Sequence, residues 1–274
     1  MIRFDGRVAI VTGAGRGLGA AYGRELARRG AKVVVHDAGV GRRGEGGDPS
    51  VADGVVDEIH RDGGTAIASY ENLESVEACI QIVERTVEEL GRVDILINNA
   101  GLVIYEEIDE ADRSWETLRR ISIDAPFHLS RAVFPIMRLQ RYGRIVFTTS
   151  GIAMSADVTR PGLAGYAAGK MAQFGLMVAF AAEGRPHGIL TNAISPVAAT
   201  RVYTQQYEPG ELKPEQVAAG VIYLVSEDCA ANGVVLSAAG GTFSLRWWER
   251  GEEVDLGEEV DAETIAAHWA EIAR

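Results

Sequence analysis

Tyr166-Ala167-Ala168-Gly169-Lys170 sets a phenol and an ammonium four residues apart, on one face if the segment is helical. A tyrosine with an unperturbed pKa of about 10 needs help to act as a base near neutral pH. A lysine charge one turn away supplies it by favouring the phenolate. Such a pair can take a proton from an alcohol or return one to a developing alkoxide. Of 27 basic residues only Lys32, Lys170 and Lys213 are lysines, so this arginine-rich chain keeps lysine where a compact, tunable ammonium is useful.

A second segment is built for anions. Thr12-Gly13-Ala14-Gly15-Arg16-Gly17-Leu18-Gly19 follows the apolar run Val8 to Val11 and precedes a helix expected from Ala20 to Arg29, closed by Gly30. Unpaired N–H groups at a helix N-terminus and the macrodipole both favour a phosphate, and small residues let it approach the backbone. Gly13, Gly15, Arg16, Gly17, Leu18 and Gly19 are therefore candidate dinucleotide contacts; an ordinary Gly-rich βα turn is the plainer alternative. An acidic residue belongs at the end of the next strand, to bond the ribose hydroxyls. Lys32-Val33-Val34-Val35-His36-Asp37 supplies Asp37 there. A carboxylate at that point repels a 2′-phosphate and favours NAD over NADP; Arg16, Arg42 and Arg43 pull the other way. A strand-end aspartate can also simply cap a turn.

The elements that must position these groups are legible as a repeat. Apolar runs at 8–12, 32–36, 65–69, 93–97, 144–149, 189–194 and 234–237 alternate with helical stretches. Continuous β-branched runs imply parallel strands buried on both faces. Right-handed crossovers then predict an α/β, Rossmann-type doubly wound sheet of seven mainly parallel strands with helices on both faces. Residues 1–243 are expected to form one dinucleotide-binding catalytic domain, and 244–274 a tail with a short helix from Ala262 to Arg274. Trp247 and Trp248 precede an acidic stretch and suit anchoring of that tail on a subunit surface.

A net charge of −12 argues against nucleic acid or an anionic membrane as partner. No apolar run is long enough to span a bilayer and no leader precedes the first strand, so a cytoplasmic location is expected. Cys79 and Cys229 stand apart, suiting buried thiols in a reducing compartment, and the five histidines do not cluster, so no metal is expected. His36 falls within a strand and is expected to be structural. The stretch from Tyr166 to Glu183 is apolar around nearly its whole circumference, which implies a second partner besides the sheet.

Taken in order, these motifs resemble the short-chain dehydrogenase/reductase family over about residues 4 to 243. Asn98-Asn99-Ala100-Gly101 follows the strand Val93 to Ile97. Gly143-Arg144-Ile145-Val146-Phe147-Thr148-Thr149-Ser150 delivers a serine upstream of the tyrosine, and Asn192-Ala193-Ile194-Ser195-Pro196 matches the segment bordering the nicotinamide. The resemblance implies hydride transfer between a nicotinamide and a secondary alcohol or ketone, with Tyr166 as acid/base and Ser150 bonding the substrate oxygen as charge develops. It also implies that Lys170 holds the nicotinamide ribose. Asn72, Leu73, Asn99, Ala100, Gly101, Pro196 and Thr200 complete the candidate cofactor contacts, Thr200 with loop capping as an equal alternative. A homotetramer, assembled partly through this helix and one spanning Ser114 to Gln140, is the implied assembly.

Two departures bear on the chemistry. Where the family places an asparagine for a water-mediated proton relay, after Trp115, this chain has Ser122, which suits a helix-surface serine equally well. Ser150 precedes Tyr166 by 16 residues, a longer interval than the family commonly shows, so Met154 to Pro161 carries a short insertion. Ser155 is thereby a rival for the oxygen-binding role. Within the family, Arg3-Phe4-Asp5-Gly6-Arg7-Val8, the loop Gly39 to Ser50, Tyr142 to Ile145 and Leu245-Arg246-Trp247-Trp248-Glu249-Arg250 are most similar to the (3R)-hydroxyacyl-CoA dehydrogenase domain of multifunctional enzyme type 2. That subgroup implies a 3-hydroxyacyl-CoA and NAD. The alternatives are an NADP-dependent ketoreductase of acyl-carrier or polyketide thioesters, and a cofactor-binding sensor with little turnover.

Overall fold

A computed structural model describes residues 1–200 and 211–273. The expected alternation becomes β1 (Val8–Thr12), α1 (Gly17–Arg28), β2 (Lys32–His36), α2 (Ser50–Arg61), β3 (Thr65–Ser69), α3 (Val76–Leu90) and β4 (Ile95–Asn98) in the first half. The second half runs through α4 (Asp112–Arg119), α5 (Ala125–Gln140), β5 (Gly143–Thr148), α6 (Gly151–Met154), α7 (Ala164–Gly184) and β6 (Ile189–Val197). It ends with α8 (Pro214–Leu224), β7 (Val235–Ala239), β8 (Thr242–Arg246) and α9 (Ala262–Ile272). The sheet order is β3-β2-β1-β4-β5-β6-β7-β8.

The first seven strands run parallel, as expected. The eighth is an addition. Gly240 and Gly241, at φ +53° and +82°, make a two-residue turn that returns the chain antiparallel along β7. The sheet therefore continues through Arg246, past the boundary expected at 243. The C-terminal helix starts at Ala262 as expected, with Asp261 accepting from the Thr264 N–H at 2.8 Å; Arg274 lies outside the described residues.

Side chains alternate between two cores. Ala9, Val11, Val33 and Val35 pack with Tyr22 and Leu26 of α1, Ile59 of α2 and Val221 of α8. Ile10, Val34, Leu96 and Ile145 face the other way, onto Ile82 of α3, Leu129 and Met137 of α5 and Met177 of α7. With both faces covered, every residue of β1 is buried, which is why the strand reads as an unbroken apolar run. After β3 the chain crosses to the far side of β1 to form β4. That reversal opens a crevice at the carboxyl ends of β1 and β4, where such sheets bind ligands.

The single helix expected over Ser114 to Gln140 is three segments. A π-helical turn, Arg120–Asp124, joins α4 to α5 and holds Ser122. Such one-turn widenings recur at functional sites.

Candidate active site

The glycine turn is shaped by close approach. A Cβ on Gly13 would lie 2.9 Å from the Cα of Ala100, and one on Gly19 would lie 2.2 Å from the Gly13 carbonyl oxygen. Gly13 and Gly17 also take φ of +62° and +53°, which L side chains resist. Thr12 ties this turn to the end of β4. Its hydroxyl accepts from the Asn99 and Ala100 N–H groups at 3.0 and 3.1 Å, and Asn99 Nδ2 donates to the Thr12 and Gly13 carbonyls. The role of Thr12 was not foreseen from sequence, although a threonine opening the glycine segment is its signal.

A cavity of about 590 Å³ opens over this turn. At one end it is lined by Gly13, Arg16, Gly17, Leu18 and Asp37, with Asn72 and Leu73 beyond. Asn99, Ala100 and Gly101 line its middle, and Pro196 and Thr200 the wall from β6. Gly15 and Gly19 are not among the lining residues. Gly15 instead donates its N–H to Asp37 Oδ2 at 2.9 Å, while Asp37 Oδ1 accepts from the Gly39 N–H at 2.8 Å. The Asp37 carboxylate is thus held in place at the cavity wall. His36, just before it, is buried, makes a 2.9 Å contact from Nε2 to the Glu71 carbonyl and is held neutral-leaning by desolvation.

The other end of the cavity holds Ser150, Tyr166 and Lys170. Lys170 is 4% exposed, and its Nζ lies 5.8 Å from the Tyr166 ring centroid while donating to the Thr148 carbonyl at 2.9 Å. Burial pushes its pKa down from 10.5 to about 8. Two further bonds stitch α7 to the end of β5: Gln173 Oε1 accepts from the Thr148 N–H at 3.0 Å, and the Thr149 hydroxyl donates to the Lys170 carbonyl at 2.8 Å. Gln173, a buried amide on an otherwise apolar helix, was overlooked; its polarity there is the signal. Ser150 caps α6, its Oγ accepting from the Ile152 N–H at 3.3 Å, which leaves its own hydrogen to donate.

Ser155 ends α6 and is not among the lining residues, so of the two serines Ser150 is the one the structure brings to Tyr166's cavity. Ser122 is fully buried beneath α7 and also outside the lining; its neighbour Ile121 reaches the cavity instead. The helix-surface alternative for Ser122 does not hold: the residue lies in the π-helical turn and is fully buried. The lengthened segment after α6 forms part of the wall through Val158, Arg160 and Leu163, beside Ile152 of α6 itself. Its Gly162 carbonyl accepts from the Glu106 N–H at 3.0 Å, which seats the loop against the segment after β4. Among the described residues no group of His, Cys, Asp or Glu could hold a metal ion, and no helix is long and apolar enough to cross a membrane.

This arrangement joins a dinucleotide-type turn and an alcohol-type acid/base pair in one cavity. The short chain dehydrogenase family profile matches residues 7–210. Peroxisomal multifunctional enzyme type 2 of Drosophila melanogaster is 37% identical over 280 residues, covering 99% of this chain and 46% of that protein. The enzyme of the same name from Mus musculus is 39% identical, covering 91% of this chain and 34% of its own length. The chain thus spans less than half of these curated relatives. A short chain dehydrogenase structure from Mycobacterium avium superposes with a TM-score of 0.86 at 32% identity, covering 98% of this chain and 95% of that one. The chain belongs to the short chain dehydrogenase family of oxidoreductases.

Proposed function

We propose that this chain is an NAD-dependent dehydrogenase that interconverts a secondary alcohol and a ketone, with a 3-hydroxyacyl-CoA as its substrate class. One observation carries this reading: Ser150, Tyr166 and Lys170 open onto the same cavity as the glycine turn and Asp37. The cavity has the size usual for a cofactor site. Gly13, Arg16, Gly17 and Leu18 would hold the pyrophosphate at the N-terminus of α1, and Asp37 the adenosine ribose. Asn72, Leu73, Asn99, Ala100 and Gly101 would line the adenosine half, and Pro196 and Thr200 the carboxamide side. Gly15 and Gly19 would act through the shape of the turn. A bound nicotinamide would supply the hydride acceptor.

The proton chemistry falls to this chain's side chains. Tyr166 takes the alcohol proton in oxidation and returns it in reduction. The Lys170 charge favours the phenolate, and its ammonium, already anchored on Thr148, is placed for ribose hydroxyls as well. The free hydroxyl hydrogen of Ser150 donates to the substrate oxygen as charge builds there. Ser122 acts from behind α7, as a positioning residue for the lysine segment.

The acyl-CoA reading leans on the likeness to multifunctional enzyme type 2, which the chain matches only in part. An NADP-dependent ketoreductase is the second reading. It is favoured by Arg16, which lines the cavity beside Asp37 and could meet a 2′-phosphate. Self-association is part of the proposal: Phe127 on α5 and Val178 on α7 are 38% and 47% exposed, as suits helices that pair with a second copy. Light scattering on the purified protein is expected to give a tetramer, and a clean monomer would reject that part. Two buried free cysteines suit a reducing, cytoplasmic setting.

The deciding experiment is reduction of NAD and NADP by the purified protein against secondary alcohols and 3-hydroxyacyl-CoAs, with Tyr166→Phe alongside. NAD turnover that disappears in Tyr166→Phe sustains the proposal. Turnover retained by Tyr166→Phe refutes the mechanism, and NADP preference shifts it to the second reading.

A further inference from the structure

The substrate end of the cavity carries two cations that the chemistry above does not use. Arg246 reaches in from β8: a Cβ on Gly151 would lie 3.8 Å from its Nη2 and 3.9 Å from its Cζ. Its guanidinium therefore sits one residue beyond Ser150. Arg160 approaches from the loop between α6 and α7, and both arginines line the cavity.

Neither guanidinium has a hydrogen bond or ion pair among the described residues. Several other arginines are matched, Arg7 with Asp94, Arg24 with Glu58, Arg29 with Glu25 and Arg119 with Glu116, and exposed ones such as Arg61 and Arg138 are not; Arg160 and Arg246 differ from the latter in lining the cavity. In a chain of net charge −12, carboxylates are plentiful, yet none among the described residues forms an ion pair with these two. The only carboxylates in the described lining, Asp37 and Glu74, stand at the adenosine end. Glu106 packs behind Gly162 and stays outside the lining. The rest of this end is apolar, from Tyr105, Ile152, Val158 and Leu163.

An apolar pocket with two unmatched guanidiniums fits an apolar chain bearing an anion. The guanidinium fork matches carboxylate and phosphate geometry, and both arginines are exposed, open to an incoming anion. We infer that Arg246 and Arg160 select an acidic substrate, one carrying a carboxylate or a phosphate, and hold that anion while its hydroxyl carbon faces Tyr166. This inference rests on the dehydrogenase reading and narrows its substrate class. Neutral sterols and simple alcohols would leave both cations unmet.

The test compares three hydroxybutyryl substrates with NAD and with NADP: the free acid, the CoA thioester, and the N-acetylcysteamine thioester, which is neutral. They are run on the wild type, Arg246→Ala, Arg246→Lys and Arg160→Ala. The wild type is expected to favour a charged substrate over the neutral one by at least about tenfold in kcat/KM. That preference should collapse in Arg246→Ala through KM and return in part in Arg246→Lys. A smaller loss is expected in Arg160→Ala. Preference for the CoA thioester assigns the anion to a phosphate, and preference for the free acid assigns it to a carboxylate. Wild-type turnover without charge preference, or a preference untouched in both alanine variants, overturns the inference and leaves the dehydrogenase reading standing. No turnover of these three or of neutral alcohols overturns both.

Discussion

Gly169 of α7 lies against Ser122 of the π-helical turn so closely that a Cβ on the glycine would sit 2.6 Å from the serine Cβ and 3.2 Å from its Oγ. Lys170 is the next residue, so this joint sets how deep the lysine lies. The Ser122 hydroxyl is buried and has no partner among the described residues. A hydroxyl buried in that way costs about 1–3 kcal/mol. Ser122→Ala is therefore expected to fold and to raise Tm by about 2–4 °C for each kcal/mol relieved in thermal unfolding. A fall in Tm would mean that the hydroxyl is bonded in solution, through water or cofactor.

The same contact predicts the opposite result for Gly169→Ala. The added methyl would run into the Ser122 side chain, so overpacking should cost about 1–3 kcal/mol. Because the strain falls beside Lys170, kcat should drop along with Tm. A double variant, Gly169→Ala with Ser122→Gly, is expected to regain much of the lost stability. Urea unfolding of the four proteins checks this through the coupling energy of the pair.

Asp37 holds two backbone amides, from Gly15 and Gly39, besides facing the cavity. Asp37→Ala removes the carboxylate that would repel a 2′-phosphate and unties both amides. The NADP-to-NAD ratio of kcat/KM should rise by about tenfold or more, with most of the change in NAD KM. Asp37→Asn separates the two effects, since it keeps an oxygen acceptor without the charge. An unchanged cofactor ratio in both variants would remove Asp37 from cofactor choice.

Much of this candidate site is legible in the sequence, because its parts are local. The turn at Gly13 to Gly19, Asp37 at a strand end and the Tyr166–Lys170 spacing each express chemistry within a few residues of chain. Residues that act across the fold were not legible. Thr12 meets Asn99, and Gln173 meets Thr148, only because β1, β4, β5 and α7 converge. Arg246 enters the cavity only because Gly240-Gly241 turns the chain back along β7. That Gly-Gly pair is a hairpin signal, obscured by the aromatic and acidic tail that follows it. The π-turn has no signal in spacing; it holds Ser122 in the joint with α7, neither on a helix surface nor in the cavity lining.

Tyr166 and Lys170 are coupled in their pH dependence. Lys170 is charged below about pH 8 and loses its charge above it. While charged, it lets the phenolate form at lower pH, so alcohol oxidation should rise with pH and break near pH 8. In Lys170→Met that support is absent and the rise should move to higher pH. Tyr166→Phe should lower kcat by about 100- to 10,000-fold at every pH. Profiles of kcat/KM for the three proteins test the coupling, and coincident wild-type and Lys170→Met profiles would dissolve it.

The lysine that serves catalysis should also weaken the fold. Its pKa is depressed by burial from 10.5 to about 8, so its charged form is disfavoured in the native state relative to the unfolded chain. Below pH 8 both states hold the proton and the full penalty applies, of order 3 kcal/mol before relaxation. Between pH 8 and about 10.5 the unfolded chain binds more protons than the native one, so this group's contribution makes stability rise with pH. Lys170→Met removes the charge and keeps an unbranched apolar stem. It should therefore be much less active yet more stable than the wild type at pH 7, by about 1–3 kcal/mol in urea unfolding, with the gap narrowing by pH 9.5. Equal stability at pH 7 would mean that the bond to the Thr148 carbonyl offsets the desolvation in full. A gap that widens with pH would contradict the depressed pKa itself.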